Sequence, residues 1–165
     1  MRLPLDDGLK IGIQTIHRQP DEQTGPWLPQ IDELVHFVET VDAAGFDSLW
    51  VGDHLSMPLP FLDPMLMLTQ AAVVSRRLLL GTGVYLLPLR HPGPVAKQVA
   101  TLDHLSEGRF IFGVGIGGEF PKEYEVAGVP IGERGARLGE GIQAIRALWQ
   151  QENSTFSGKH YAFSD

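Results

Sequence analysis

The chain has 165 residues, 43% of them apolar, and a formal net charge of -7. That length suits one domain with a buried core, and the acidic balance sets it against phosphate backbones and anionic lipid surfaces, so neither nucleic acid nor a membrane is an expected partner. It has no cysteine, which excludes disulfides, thiolate metal sites and a cysteine nucleophile, and suits a reducing, cytoplasmic setting.

The opening MRLPLDDGLKIGIQ carries two aspartates and a proline early, unlike a secretory signal. A first strand is predicted over 9–13. Ile31, Leu34, Val35, Val38 and Val41 then make one apolar helix face. A second strand is expected over 48–51, and a helix over 64–75 that is apolar nearly all round. The third strand is expected over 78–86. It lies in the longest apolar run, 78–89, which is too short for a bilayer span of about 20 residues. A helix over 94–105 follows, with proline near its start where a missing N–H does no harm. The fourth strand is expected over 109–114. After it, Pro121 can start a helix that Gly128 and Pro130 soon stop. The last helix is expected over 133–151, with Leu138, Ile142, Ile145, Leu148 and Trp149 as its stripe. Gly139 and Gly141 weaken it by about 1 kcal/mol each relative to alanine. The tail, 155–163, alternates like a strand or hairpin around Ser157-Gly158.

Strand and helix thus alternate, with strand starts about 30 residues apart after the first, as in repeated βαβ units. The strands are nearly unbroken apolar runs, as in parallel sheets buried on both faces. Two α/β architectures share this rhythm: an open doubly wound sheet and a closed (β/α)8 TIM-type barrel. The barrel takes about 250 residues, so only its first four units fit here.

Gly113, Gly115 and Gly118 match the spacing G-x-G-x-x-G of a dinucleotide-binding turn. That turn should follow the first strand of its unit and open directly into a helix. These glycines follow the fourth strand, and Glu-Phe-Pro comes next. The other reading is a strand end kept bare so that backbone can approach a flat ligand. Active sites of α/β proteins lie at the carboxyl ends of parallel strands. Gly52-Asp53-His54, Gly81-Thr82-Gly83-Val84 and Gly115-Ile116-Gly117-Gly118-Glu119 all fall at such ends. The plain alternative is three glycine-bearing turns.

Three stretches, AGFDSLWVGDHL, LLLGTGVYLLPLRHPGPVAKQVATLDHLSEGRFIFGVGIGGEF and GVPIGERGARLGEGIQAIRALW, resemble the bacterial luciferase-like family. Its members are flavin- or deazaflavin-dependent monooxygenases and dehydrogenases on a (β/α)8 barrel. The likeness runs from Ile11 to Phe163 and is greatest to the branch that uses coenzyme F-420, with FMN as the other choice. The resemblance implies that His54 faces the cofactor ring as a catalytic base, for which an imidazole titrating near neutrality is suited. Asp53 either orients that imidazole or caps the following loop. Gly83-Val84 matches a cis peptide that props the ring, and Gly115, Ile116 and Gly117 match the stretch passing beside the cofactor. One departure stands out. In the branch's sugar-phosphate dehydrogenases an acidic residue directly follows the second glycine of this loop. Here Gly118 takes that place and Glu119 comes one later, as a proton donor or a solvated side chain. The substrate, a small organic molecule, therefore does not carry over.

Other residues read plainly. His91-Pro92 starts a helix, Arg109 anchors the fourth strand, and Trp50 belongs to the core. His17, His36, His104 and His160 show no ligand spacing. A phosphosugar lyase or isomerase would place a lysine at a strand end, and Lys10, Lys97, Lys122 and Lys159 do not sit there. Relative to the family barrel, four strands are missing. The expectation is a fragment or a natural half-barrel whose open edges pair with a second copy or with a separate C-terminal half. The functional expectation is an oxidoreductase; the alternative is a truncated half-barrel that binds cofactor weakly or not at all, without turnover.

Overall fold

The computed structural model describes residues 9–14, 28–58, 60–150 and 153–164; His17 and Gln151 lie outside them. The elements run β1 (Gly12–Gln14), α1 (Ile31–Ala43), β2 (Ser48–Val51), α2 (Pro64–Val74), β3 (Leu79–Thr82), β4 (Tyr85–Leu86), α3 (Pro92–Leu105), β5 (Phe110–Ile111), β6 (Val114–Gly115), α4 (Pro121–Val126), α5 (Arg134–Gln150), β7 (Phe156–Ser157) and β8 (Ala162–Phe163).

Helix starts follow from their flanking residues. The Asp63 carboxylate accepts the N–H groups of Met65 and Leu66 at 2.9 and 3.2 Å, with Pro64 in the first turn. His91 Nδ1 accepts the Gly93 N–H at 3.2 Å. That cap starts α3 at Pro92, two residues before the expected 94. α4, a short helix after Pro121, fits the expected early stop, since Gly128 has φ +67.

β1, β2, β3 and β5 form a parallel sheet in chain order. The order never reverses, so the described sheet has no doubly wound switch point. α1, α2, α3 and α5 pack each against the next. Leu49, Val51, Leu80 and Phe110 share one core with Leu68 and Ala72 of α2, Val95, Val99 and Leu102 of α3, and Ile145 of α5. Burying each such side chain stabilises by roughly 1.5–3 kcal/mol. Arg109 donates to the Leu78 and Ala72 carbonyls at 2.7 and 3.4 Å and ties the start of β5 to β3 and α2, the anchor expected of it.

Side chains alternate across a strand, so Trp50 faces away from Leu49 and Val51. It is half-buried and stands outside the buried cluster, not in the core expected for it. Its indole N–H donates to Ser48 Oγ at 2.9 Å, and its ring lies across Gly12 and Gly81 of the neighbouring strands. A Cβ at Gly81 would come within 2.3–2.9 Å of carbons of the Trp50 ring, too close for the ring to stay where it is.

The third and fourth strands are each shorter than expected and each divided. The Gly83-Val84 peptide is cis, and the chain leaves the main sheet there. The fourth strand breaks alongside it. Thr82 Oγ1 and Tyr85 N both donate to the Gly113 carbonyl at 2.8 Å, and β4 resumes pairing with β6 in a separate two-stranded ladder. The tail forms the expected hairpin, but its turn spans residues 158–161, later than Ser157-Gly158, with Gly158 N donating to Tyr161 O at 2.9 Å. Glu140 of α5 sets that position, because its carboxylate accepts the N–H groups of Lys159, His160 and Tyr161 at 3.1, 2.7 and 2.7 Å. Among the described residues no helix is long and apolar enough to cross a membrane.

Two predictions follow from this packing. Gly81→Ala drives a methyl into Trp50 and destabilises by about 1–3 kcal/mol; an unchanged urea midpoint would refute the close approach. At Glu140, burial raises the pKa, but the three backbone N–H groups outweigh it and hold the carboxyl below its usual value. A depressed folded pKa gives stability that is present above the unfolded value and lost as pH falls through the folded one. The difference in Tm between wild type and Glu140→Ala should therefore narrow as pH drops from about 6 to about 3.

Candidate active site

Because β1, β2 and β3 run parallel, their carboxyl ends open on the same side. A cavity of about 410 Å³ lies there, within the usual range for a small-molecule site. Its walls come from Gln14 at the end of β1, Gly52, Asp53 and His54 after β2, and Gly83 and Val84 after β3. Phe61 between β2 and α2, Leu86 of β4, Gly117, Gly118 and Glu119 after β6, and Glu123 of α4 complete it. Gln14 Nε2 donates to the Gly83 carbonyl at 3.1 Å, fixing that carbonyl against the end of β1.

Asp53 neither orients the imidazole nor caps the following loop. Its buried carboxylate accepts two hydrogen bonds from Arg90 at 2.5 and 2.9 Å and the Leu86 N–H at 2.8 Å. The guanidinium also lies 4.4 Å above the Tyr85 ring. Burial pushes the Tyr85 phenol up to about 12. This pair clamps the end of β2 to β4 and thereby fixes Gly52 and His54 on one side and Gly83 and Val84 on the other.

His54 is held by Glu123. Nδ1 lies 3.2 Å from Glu123 Oε1 and 3.4 Å from Oε2. The same Oε1 accepts the N–H groups of Leu55 at 2.6 Å and Ser56 at 3.3 Å. Phe61 and Phe120 stand edge-on to the imidazole, with centroids 4.9 and 5.4 Å away. The Glu123 side chain is 1% exposed and that of His54 23%. Nε2 has no hydrogen-bond partner among the described residues, and the ring lines the cavity.

Of the residues expected at the site, His54, Asp53, Gly83, Val84, Gly117 and Glu119 line one cavity. Asp53 does so with its carboxylate already engaged by Arg90, and Glu119 is exposed. Gly115 and Ile116 do not line it. A Cβ at Gly115 would meet the Val84 side chain, so this glycine lets β6 pass behind Val84. Ile116 is 42% exposed, and its carbonyl accepts the Tyr124 hydroxyl. Gln14, Phe61, Arg90 and Glu123 escape the sequence reading. Glu119, Glu123 and Glu125 lie within one short acidic stretch, and no spacing there marks Glu123 as the buried one. Among the described residues no cluster of three or more His, Asp or Glu could hold a metal ion.

The family described as luciferase-like monooxygenase matches residues 9–165. The F420-dependent glucose-6-phosphate dehydrogenase of Amycolatopsis mediterranei (strain U-32) is 36% identical over 168 residues, covering 95% of this chain and 46% of that protein. The crystal structure of monooxygenase RslO1 from Streptomyces bottropensis superposes with a TM-score of 0.83 at 30% identity, over 94% of this chain and 47% of that one. The oxygenating constituent of 3,6-diketocamphane monooxygenase from Pseudomonas putida, in complex with FMN, superposes at 0.78 over 94% and 43%; at 21% identity it speaks to the fold alone. The chain spans less than half the length of each of these.

Removing one partner of a buried ion pair strands the other charge. Arg90→Met should cost about 3–5 kcal/mol, whereas a surface cation such as Arg76, whose side chain is 69% exposed, should change stability by less than about 1 kcal/mol. Equal urea midpoints for the two variants would remove the clamp from the account of the site.

Proposed function

The chain belongs to the luciferase-like monooxygenase family, and from that premise we propose that the cavity is the ring-binding face of a flavin- or coenzyme F-420-dependent oxidoreductase, carried on the first four units of a (β/α)8 barrel. The observation that carries this reading is a backbone-walled cleft lined by a histidine whose Nε2 has no hydrogen-bond partner among the described residues. Gly52, Gly83 and Gly117 place no side chains in the space, and Val84, 44% exposed, offers an apolar surface between them. These residues fit a planar ring. Bound there, a reduced flavin or deazaflavin supplies the hydride, or the electrons for dioxygen.

The protein's part is to position and to move protons. Gln14 holds the Gly83 carbonyl, so the cleft floor keeps its shape. His54 takes or returns a proton at Nε2 and is the catalytic base. Glu119, exposed at the rim, acts as the proton donor to a small organic substrate. FMN and F420 appear in the names of different relatives, and both cofactors suit the same face.

A second reading rests on the open inner face of the sheet. Among the described residues β1 and β5 each pair along one edge, and the face bearing Trp50 carries none of the four helices. Such edges invite strand pairing. In this reading the chain binds cofactor weakly or not at all and turns over only after four further βα units close the barrel. A second copy or a C-terminal half-barrel partner would bring them.

Fluorescence titration of the purified chain with FMN and with coenzyme F-420 separates the readings: saturable binding of either is the expected result, and none by a folded chain would favour the second. Sedimentation then tests pairing, since a stable monomer counts against it. In the protein that turns over, His54→Ala should cut the rate by about 10²- to 10⁴-fold while the chain remains folded by circular dichroism; an unchanged rate would remove His54 from the chemistry.

A further inference from the structure

Glu123 lies 69 residues beyond His54 in sequence, on the short helix α4, yet its carboxylate reaches Nδ1 of the imidazole, and both residues line the cavity. An ionised carboxylate only accepts hydrogen bonds. The Leu55 and Ser56 N–H groups point at the same Oε1, which marks this oxygen as an acceptor. The ring nitrogen sharing it must then be a donor, so the proton of neutral His54 sits on Nδ1. Nε2 is left with its lone pair, without a partner among the described residues. Phe61 and Phe120 flank the ring and oppose its rotation.

We propose that Glu123 is a positioning residue that locks His54 in the Nδ1–H tautomer, so that Nε2 is the nitrogen left open to accept a proton. An unrestrained imidazole favours the opposite tautomer, with the proton on Nε2. Without the carboxylate, Nε2 would carry a hydrogen and could donate but not accept. Glu123 also joins α4 to the loop after β2, so ring orientation and loop position are set by one group. The inference rests on the reading of His54 as a base, but the tautomer itself can be observed without any turnover.

The test is ¹⁵N NMR of the histidine side chains of the full chain above the imidazole titration range, with His54 assigned by loss of its signals in His54→Ala. An internal reference is present: His91 Nδ1 accepts the Gly93 N–H, so His91 should show the Nε2–H pattern. In wild type, His54 should show a protonated Nδ1 and an unprotonated Nε2. Glu123→Gln should shift His54 toward Nε2–H, and Glu123→Asp, which keeps a carboxylate, should hold the wild-type pattern in part. A wild-type His54 with its proton on Nε2 overturns the proposal, even if neither variant folds. A folded Glu123→Gln with an unchanged tautomer overturns it too. If the tautomer is as stated but His54→Ala leaves turnover intact, the positioning stands and the assignment of His54 as base fails.

Discussion

The site hangs on the buried pairing of Asp53 with Arg90. The neighbouring parallel strands β2 and β3 end together, at the pair Val51 and Thr82, and the loops beyond them need a further tie to hold their positions. Asp53 supplies that constraint. It draws in the Arg90 guanidinium and the Leu86 N–H together, while Tyr85 covers the cation. Gly52 and His54 flank this carboxylate in sequence, and Gly83-Val84 directly precedes the segment it grips. A buried charge so satisfied is geometrically specific, because Arg offers a rigid fork of donors.

Two carboxylates therefore serve one loop in different ways. Asp53 faces inward and fixes the backbone; Glu123 comes from α4 and fixes a side chain. A single carboxylate could not do both, since Asp53 is already filled by its three donors. The division leaves His54 held at Nδ1 and open at Nε2, which is the state a base requires. The exposed Glu119 is differently placed, on the loop after β6, where its carboxyl meets water.

The inner face of the sheet follows a separate logic. Gly12 and Gly81 are bare so that Trp50 can lie flat across their strands. Its ring then fills the space between β1 and β3 below the cavity floor. Parallel sheets are ordinarily covered on both faces, and the helices described here cover one.

The sequence by itself determined the succession of strands and helices and the glycine-marked strand ends. These are local properties: apolar runs, 3.6-residue stripes and proline or aspartate starts act over a few residues. It also placed His54, Gly83, Val84, Gly117 and Glu119 on one rim, because parallel strands put their carboxyl ends on one side. Only the tertiary structure decided which carboxylate meets which partner. Asp53 lies beside His54 in sequence yet turns to Arg90, 37 residues away, and Glu123 takes the imidazole from 69 residues away. The structure also divided the third and fourth strands and moved the hairpin turn onto Glu140. Each of these outcomes depends on distances between elements that no local pattern encodes. Glu119, Glu123 and Glu125 are alike in sequence, and only packing buries one of them beneath the histidine.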